Sequence, residues 1–394
     1  MTHPSSIGGS VPAPAGFAVH VGNLGVKDES DDFVVITAGG PVPAAGVFTK
    51  SRFSGPSVTI SRANLADGAA RAIVVVSKNA NVANGPDGHA DAIELVTLVA
   101  ERLGCDPSEV LVASTGVIGR RYPIDRMLDR IRTMPTQLVD IDLAPAAAGI
   151  MTTDTVAKTA RAEIAGCAGS VVGIAKGVGM IEPDMATMIA VVLTDAAISP
   201  TELDGAFRRV VDRTFNCVSI DTDTSTSDTA VVLASGAAGP VDPAALEDAL
   251  GDVCASLTKQ IARDGEGAET LIEVRVSGAS DVAQAERVAK AIVNSPLVKT
   301  AVHGADPNWG RVAMAIGKCS DDTDIDPERV RIAFGTEEVY PRRLADAELA
   351  RLSDYMAGDE VIIAVDLDIG TGHATVWGCD LTDGYVRINA DYTT

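Results

Sequence analysis

Strand-length runs that are apolar at nearly every position, each followed by a turn and then an amphipathic stretch, constrain this chain more than any other feature. Ala72–Ser77 (AIVVVS) has no polar face, as a strand buried on both sides requires. The Asn/Gly loop Asn79–Gly88 follows it, and Ala90–Leu103 then puts Ile93, Val96, Val99, Ala100 and Leu103 on one helical face. Val110–Ala113 reads as a second strand running into the turn Ser114-Thr115-Gly116, and Pro123–Arg132 as a short amphipathic helix. The second half keeps the habit, with helices over Pro200–Arg213, Pro243–Arg263 and Asp281–Val293. Strands are expected there over Leu271–Val276, Val330–Phe334 and Val361–Leu367. The chain is therefore expected to be α/β or α+β, without a sequence repeat. Its 394 residues suffice for two or three lobes. The best breaks are Leu143–Gly149 and Gly236–Pro243, neither of which has the composition of a disordered tether.

Charge and residue usage exclude several function classes. With 32 basic and 54 acidic residues the net charge is −22, which argues against a nucleic-acid-binding surface and leaves room for a local cationic pocket. Aromatics at 4% offer no stacking platform for single strands. The 5 histidines form no metal-ligand spacing, so no metal is expected. The 6 cysteines never form C-x-x-C and read as reduced thiols of a cytoplasmic protein. Met1–Gly25 lacks the plan of a signal peptide, and no stretch approaches the ~18 apolar residues of a membrane span.

Four segments carry polar chemistry. Gly177-Val178-Gly179 follows an apolar run but completes no nucleotide-binding motif. Asp221–Thr229 (DTDTSTSDT) lacks the glycine and terminal Glu of a calcium loop, and reads as a self-bonded polar loop or an active-site wall. His303–Arg311 (HGADPNWGR) reads equally as a functional loop and as a structural turn. In Lys176–Leu193 (KGVGMIEPDMATMIAVVL) a Pro-containing loop meets a strand-forming run at Ala186-Thr187. Thr187 is either an ordinary strand residue or a nucleophile freed by self-cleavage. In the second case its own α-amine, with an ordinary pKa of ~7.7–8.0, is a base near neutrality and no histidine is needed.

KGVGMIEPDMATM resembles the self-cleavage segment of the ornithine acetyltransferase family. The resemblance extends through VPAPAGFAVH, AGVFTKSRF (45–53), STGVIGR (114–120), IMTTDT (150–155), SPLVKTAVHGADPNWGRVAMAIG (295–317) and INADYTT (388–394). It implies an αββα sandwich like that of aminopeptidases and ornithine acetyltransferases, with a smaller second lobe. It implies cleavage between Ala186 and Thr187 into 1–186 and 187–394, held as one αβ unit that pairs into an α2β2 heterotetramer. It implies acetyl transfer from N2-acetylornithine to glutamate, in arginine biosynthesis and without a cofactor. By the same resemblance Thr187 is the nucleophile and Thr115 with Gly116 the oxyanion-holding pair. Thr152, Lys176, Glu266, Asn389 and Thr394 then contact substrate.

SRFSGPSV, STGVIGRRYP and RTFNCVSIDTDTSTSDTA are most similar to the paralogue of clavulanic-acid-type gene clusters. The loop Ser77–Gly85 (SKNANVANG) departs from the commoner arginine-pathway form, which points away from acetyl-CoA as donor. Two rival readings are a self-cleaving amidohydrolase or aminopeptidase with water as acceptor, and an uncleaved acidic binding protein.

Overall fold

The computed structural model describes residues 9–182 and 188–391. The first part holds β1 (Phe17–Gly22), β2 (Phe33–Phe48), α1 (Pro56–Asn64), β3 (Ala69–Val76), α2 (Gly85–Leu103), β4 (Val110–Ser114) and α3 (Ile124–Ile131). The second holds α4 (Leu143–Gly149), β5 (Lys158–Glu163), β6 (Ser170–Lys176), β7 (Ile189–Ala197), α5 (Pro200–Arg213), β8 (Thr229–Pro240) and α6 (Pro243–Arg263). The third begins with β9 (Leu271–Ala279), α7 (Val282–Val293), α8 (Pro296–His303), α9 (Trp309–Gly317) and β10 (Arg331–Phe334). It ends with β11 (Glu337–Tyr340), α10 (Asp346–Met356), β12 (Glu360–Asp366), β13 (Gly372–Cys379) and α11 (Asp383–Asp391).

β2 makes the architecture. Its centre carries Gly39, Gly40, Pro41 and Pro43, which break the ladder to β3 between Thr37 and Val42. Past Pro43 the strand pairs with β8 instead, from Ala44↔Leu233 to Phe48↔Thr229. One strand thus serves two layers of a sheet ordered β4-β3-β2-β8-β7-β6-β5, with β1 beside β2.

Alternating side chains of each layer enter different cores. Val34, Ile36, Ile73 and Val75 face Val172, Ile174, Val191, Leu193 and Val231 between the layers. Their neighbours Val35, Val74, Val76 and Val112 pack outward on Leu95, Val96 and Val99 of α2. On the far side Val171, Val192 and Val232 pack on Phe207 of α5 and Leu257 of α6. The order is helices, sheet, sheet, helices, which is the αββα sandwich expected. Burial on both faces explains why these strands are unbroken Val/Ile runs. A smaller lobe follows, a 5-stranded sheet ordered β11-β10-β12-β9-β13 whose core is continuous with that beneath α6.

Three sequence expectations are corrected. Leu143–Gly149 is not a break: Asp142 accepts the Ala144 N–H and caps α4, whose Leu143, Ala146 and Ala147 sit in the inter-layer core. Gly236–Pro243 is the end of β8 and the start of α6, capped by Asp242. On α2, Ile93 is exposed, and the buried stripe is Ala92, Leu95, Val96, Val99, Ala100 and Leu103, with Asp91 also buried and paired with Arg121. Among the described residues no helix is long and apolar enough to cross a membrane.

Candidate active site

One end of the sandwich gathers loops from both layers around a cavity of ≈ 250 Å³. The turn after β4 supplies Thr115, Gly116, Val117 and Ile118, and the segment after α4 supplies Thr152. Lys176 ends β6, and Val178, Gly179 and Met180 follow it. Ser225, Thr226 and Ser227 come from the loop before β8, Glu266 from the loop after α6, and Asn389 from α11. The six sequence-picked residues that are described, Thr115, Gly116, Thr152, Lys176, Glu266 and Asn389, therefore meet in one hollow. Ala186, Thr187 and Thr394 lie outside the described residues.

The Thr115–Gly116 turn is built by close backbone approach. Gly116 has φ 130°, and a Cβ there would lie 2.2 Å from the Lys78 carbonyl carbon and 2.5 Å from the Asn79 nitrogen. Only glycine fits. The Thr115 N–H is committed to the Val76 carbonyl at 3.0 Å. The Thr115 hydroxyl and the Gly116 N–H have no partner among the described residues, so both are free to donate into the cavity. The loop pressed on this turn holds Lys78, Asn81 and Ala83 at positive φ.

The cavity is polarised. Lys176 is buried, and among the described residues its ammonium makes one long hydrogen bond, to Thr152 Oγ1 at 3.5 Å. Burial pushes the Lys176 amine below its ordinary value, and Asp154, Asp228 and Glu266 oppose that by attraction. Glu266 accepts from Asn389 Nδ2 at 2.9 Å and from the Thr153 hydroxyl at 3.3 Å. A basic and an acidic side chain thus share the cavity with two donors that have no partner among the described residues, the complement of an α-amino acid beside a polarised carbonyl.

Beneath this lining lies a brace that sequence reasoning missed. Asp154 Oδ1 accepts the Gly177 N–H at 2.7 Å and the Lys158 ammonium at 2.7 Å, and Oδ2 accepts the Thr152 N–H at 3.1 Å. Lys158, with no exposure, also reaches Asp264 at 2.6 Å. Burial pushes the Asp154 carboxyl up, but Lys176, Lys158 and the Gly177 N–H outweigh it and hold it below its ordinary value.

The other singled-out segments separate cleanly. Gly179 lines the cavity, and a Cβ on it would lie 2.6 Å from the Glu266 carboxyl, while Gly177 gives its N–H to Asp154. Asp221 accepts the N–H groups of Met180 and Ile181 at 2.6 and 2.7 Å, so the DTDTSTSDT run is both a bonded loop and, through Ser225–Ser227, a wall. His303–Arg311 does not reach the cavity. His303 meets Asp380 at 3.2 Å and Glu269 at 3.6 Å, and Trp309 stacks on Tyr340 over a second hollow.

Comparison with known proteins is consistent across the chain. A family model described as the ArgJ family matches residues 18–394. The chain is 56% identical over 381 residues to the arginine biosynthesis bifunctional protein ArgJ 2 of a Nostoc species, covering 97% of this chain and 98% of that one. It is 55% identical over 387 residues to the glutamate N-acetyltransferase Oat2 of Streptomyces clavuligerus, with 97% and 98% covered. The crystal structure of the arginine biosynthesis bifunctional protein argJ from Bacillus halodurans aligns at 44% identity and TM-score 0.47, covering 50% of this chain and 96% of that chain.

Proposed function

The chain belongs to the ArgJ family as a glutamate N-acetyltransferase, and we propose that it moves acetyl from N2-acetylornithine to glutamate through an acetyl-threonine. The observation that carries the reading is the cavity itself, which Thr115 and Gly116 line together with Lys176 and Glu266. Maturation cuts the Ala186–Thr187 bond, giving 1–186 and 187–394. The new α-amine of Thr187 takes the proton of its own hydroxyl, and Oγ attacks the acetyl carbonyl of the donor. Negative charge developing on the carbonyl oxygen is met by the Thr115 hydroxyl and the Gly116 N–H. Ornithine leaves, and the amine of glutamate attacks the ester.

Lys176 receives the α-carboxylate that donor and acceptor share, and Thr152 orients it. Glu266, held by Asn389, reads the cationic side chain of ornithine, and Thr394 is a further substrate contact. No cofactor is required for transfer between amino acids. The mature αβ units pair as an α2β2 heterotetramer in the cytoplasm.

Two measurements test this. The intact mass of the purified protein should show two chains, the second beginning TMIAVV, and Thr187→Ala should leave one chain. With acetylornithine and glutamate the mature enzyme should form N-acetylglutamate one-for-one with ornithine. Acetate in place of N-acetylglutamate would identify a hydrolase, and an uncut, inactive wild type would overturn the reading.

A further inference from the structure

Glu266 and Asn389 stand 123 positions apart, and α11, which carries Asn389, buries none of its side chains. No apolar face seats this helix, so its place is set at its start. That start is sewn to the loop that carries Glu266. Gly267, at φ 69°, is pressed against the first turn of α11: a Cβ on it would overlap the Tyr385 nitrogen and lie 2.6 Å from the Gly384 carbonyl carbon. Thr382, which is buried, spans the contact. Its hydroxyl donates to the Gly267 carbonyl at 2.6 Å and accepts the Gly384 N–H at 3.0 Å. Asp380 makes a second strap beside it, accepting the N–H groups of Glu269 and Thr270 at 2.9 and 3.0 Å.

These contacts close a ring. Asn389 Nδ2 donates to Glu266 Oε2 at 2.9 Å and to the Tyr385 carbonyl at 3.1 Å. Tyr385 abuts Gly267, and Gly267 follows Glu266 in the chain. The Glu266 N–H is itself fixed to the carbonyl of Val178, a cavity residue, at 2.8 Å. Thr382 ties the two halves of the ring and is not among the residues that line the cavity.

We propose that Thr382 is a positioning residue for donor specificity. By fixing the start of α11 on the Glu266 loop, it holds Asn389 where that amide aims the Glu266 carboxylate at a cationic donor side chain. The proposal rests on the function proposed above. A carboxylate left to rotate spreads over several rotamers, and a donor then binds only the fraction that faces it. The Thr382 hydroxyl bonds on both sides at once, so valine in its place keeps the shape and loses both bonds. The backbone contact at Gly267 and the Asp380 strap remain to hold the fold. Acetylglutamate, with an anionic side chain, gains nothing from Glu266 and is indifferent to how it is held.

The test is steady-state transfer with acetylornithine and with acetylglutamate as donor. Wild type, Thr382→Val, Thr382→Ser, Asn389→Ala and the double variant of Thr382→Val with Asn389→Ala are compared. In Thr382→Val the KM for acetylornithine should rise about 3–10-fold, the scale of one or two lost neutral hydrogen bonds, with kcat within about twofold. For acetylglutamate kcat/KM should stay within about twofold, and Thr382→Ser should restore KM for acetylornithine. A residue that only stabilised the fold would lower the active fraction, and so kcat, equally for both donors. Because Thr382 acts through Asn389, adding Thr382→Val to Asn389→Ala should change KM by less than about twofold. Full additivity, equal losses for both donors, an unchanged KM, or Thr382→Ser as impaired as Thr382→Val overturns the role of Thr382 and leaves the function standing. A wild type that does not use acetylornithine overturns the function, and the proposal with it. If Thr382→Val does not fold, hydrogen exchange of the wild type decides. Saturating ornithine should slow exchange in 264–270 and 383–391 by the same factor, because the ring opens as a unit. Exchange in 383–391 that ornithine leaves unchanged rejects the proposal.

Discussion

Replacing Lys158 by Met is the sharpest test of how the cavity is held. The change keeps the apolar stem and removes an ammonium that lies 2.7 Å from Asp154 and 2.6 Å from Asp264, with side-chain exposures of 0%, 0% and 5%. It leaves two carboxylates facing each other without water to replace the lost cation. Breaking a buried pair from one side costs about 3–5 kcal/mol, so the variant should fold at 25 °C but with a much lower unfolding midpoint.

The pH dependence gives the sign. In the wild type the Asp154 carboxyl is held low, so its contribution is present above the unfolded pKa and is lost as pH falls through the folded pKa. Without Lys158 one of the groups holding it low is gone while burial stays, and the carboxyl moves up. The destabilisation should be largest near pH 7 and shrink toward about pH 4, where protonation removes the uncompensated charge. Guanidinium unfolding of both proteins at several pH values reads this directly. A loss under about 1 kcal/mol at pH 7, or a gap that widens in acid, would refute the brace. Because Asp154 also fixes the N–H groups of Thr152 and Gly177, KM should rise in the same variant at neutral pH.

Three further substitutions probe the lining. Gly116→Ala forces a Cβ against the Lys78–Asn79 backbone at positive φ, and should cost about 2–6 kcal/mol in stability and abolish most turnover; an unchanged melting temperature would refute the packing. Gly179→Ala meets only the Glu266 carboxyl, which can swing away, so stability should change by less than about 1 kcal/mol while KM for acetylornithine rises. Unaltered KM would remove Glu266 from donor binding. Glu266→Gln should lower kcat/KM for acetylornithine by about 1–3 kcal/mol and for acetylglutamate, run as donor, by less. Equal losses would mean that the carboxylate does not read the ornithine side chain.

The sequence disclosed what is periodic or local. Unbroken Val/Ile runs announced strands covered on both sides, and Ser114-Thr115-Gly116 was legible as a turn, although its close approach to the Lys78–Asn79 backbone was not. The brace was invisible because Lys158 and Asp264 are 106 positions apart, and nothing in either segment marks them as partners. α4 was mistaken for a break because Pro and Ala suit linkers, although the same small residues let a short helix sit between two sheets. Asn389 rests on a helix with no buried residue, which leaves no amphipathic signal.

The strand order has a consequence for a chain severed between β6 and β7. The first piece would own β1–β6 and the second β7–β13, yet β7 and β8 lie between β6 on one side and β2 on the other. Six paired positions from Val171↔Thr194 to Lys176↔Ile189 form one seam, and five from Ala44↔Leu233 to Phe48↔Thr229 form the other. The second piece is thus a wedge driven through the sheet of the first, and neither can be lifted off without exposing two raw strand edges. Losing the peptide link would release almost no motion, so the halves should exchange between molecules only as fast as the whole sheet unravels.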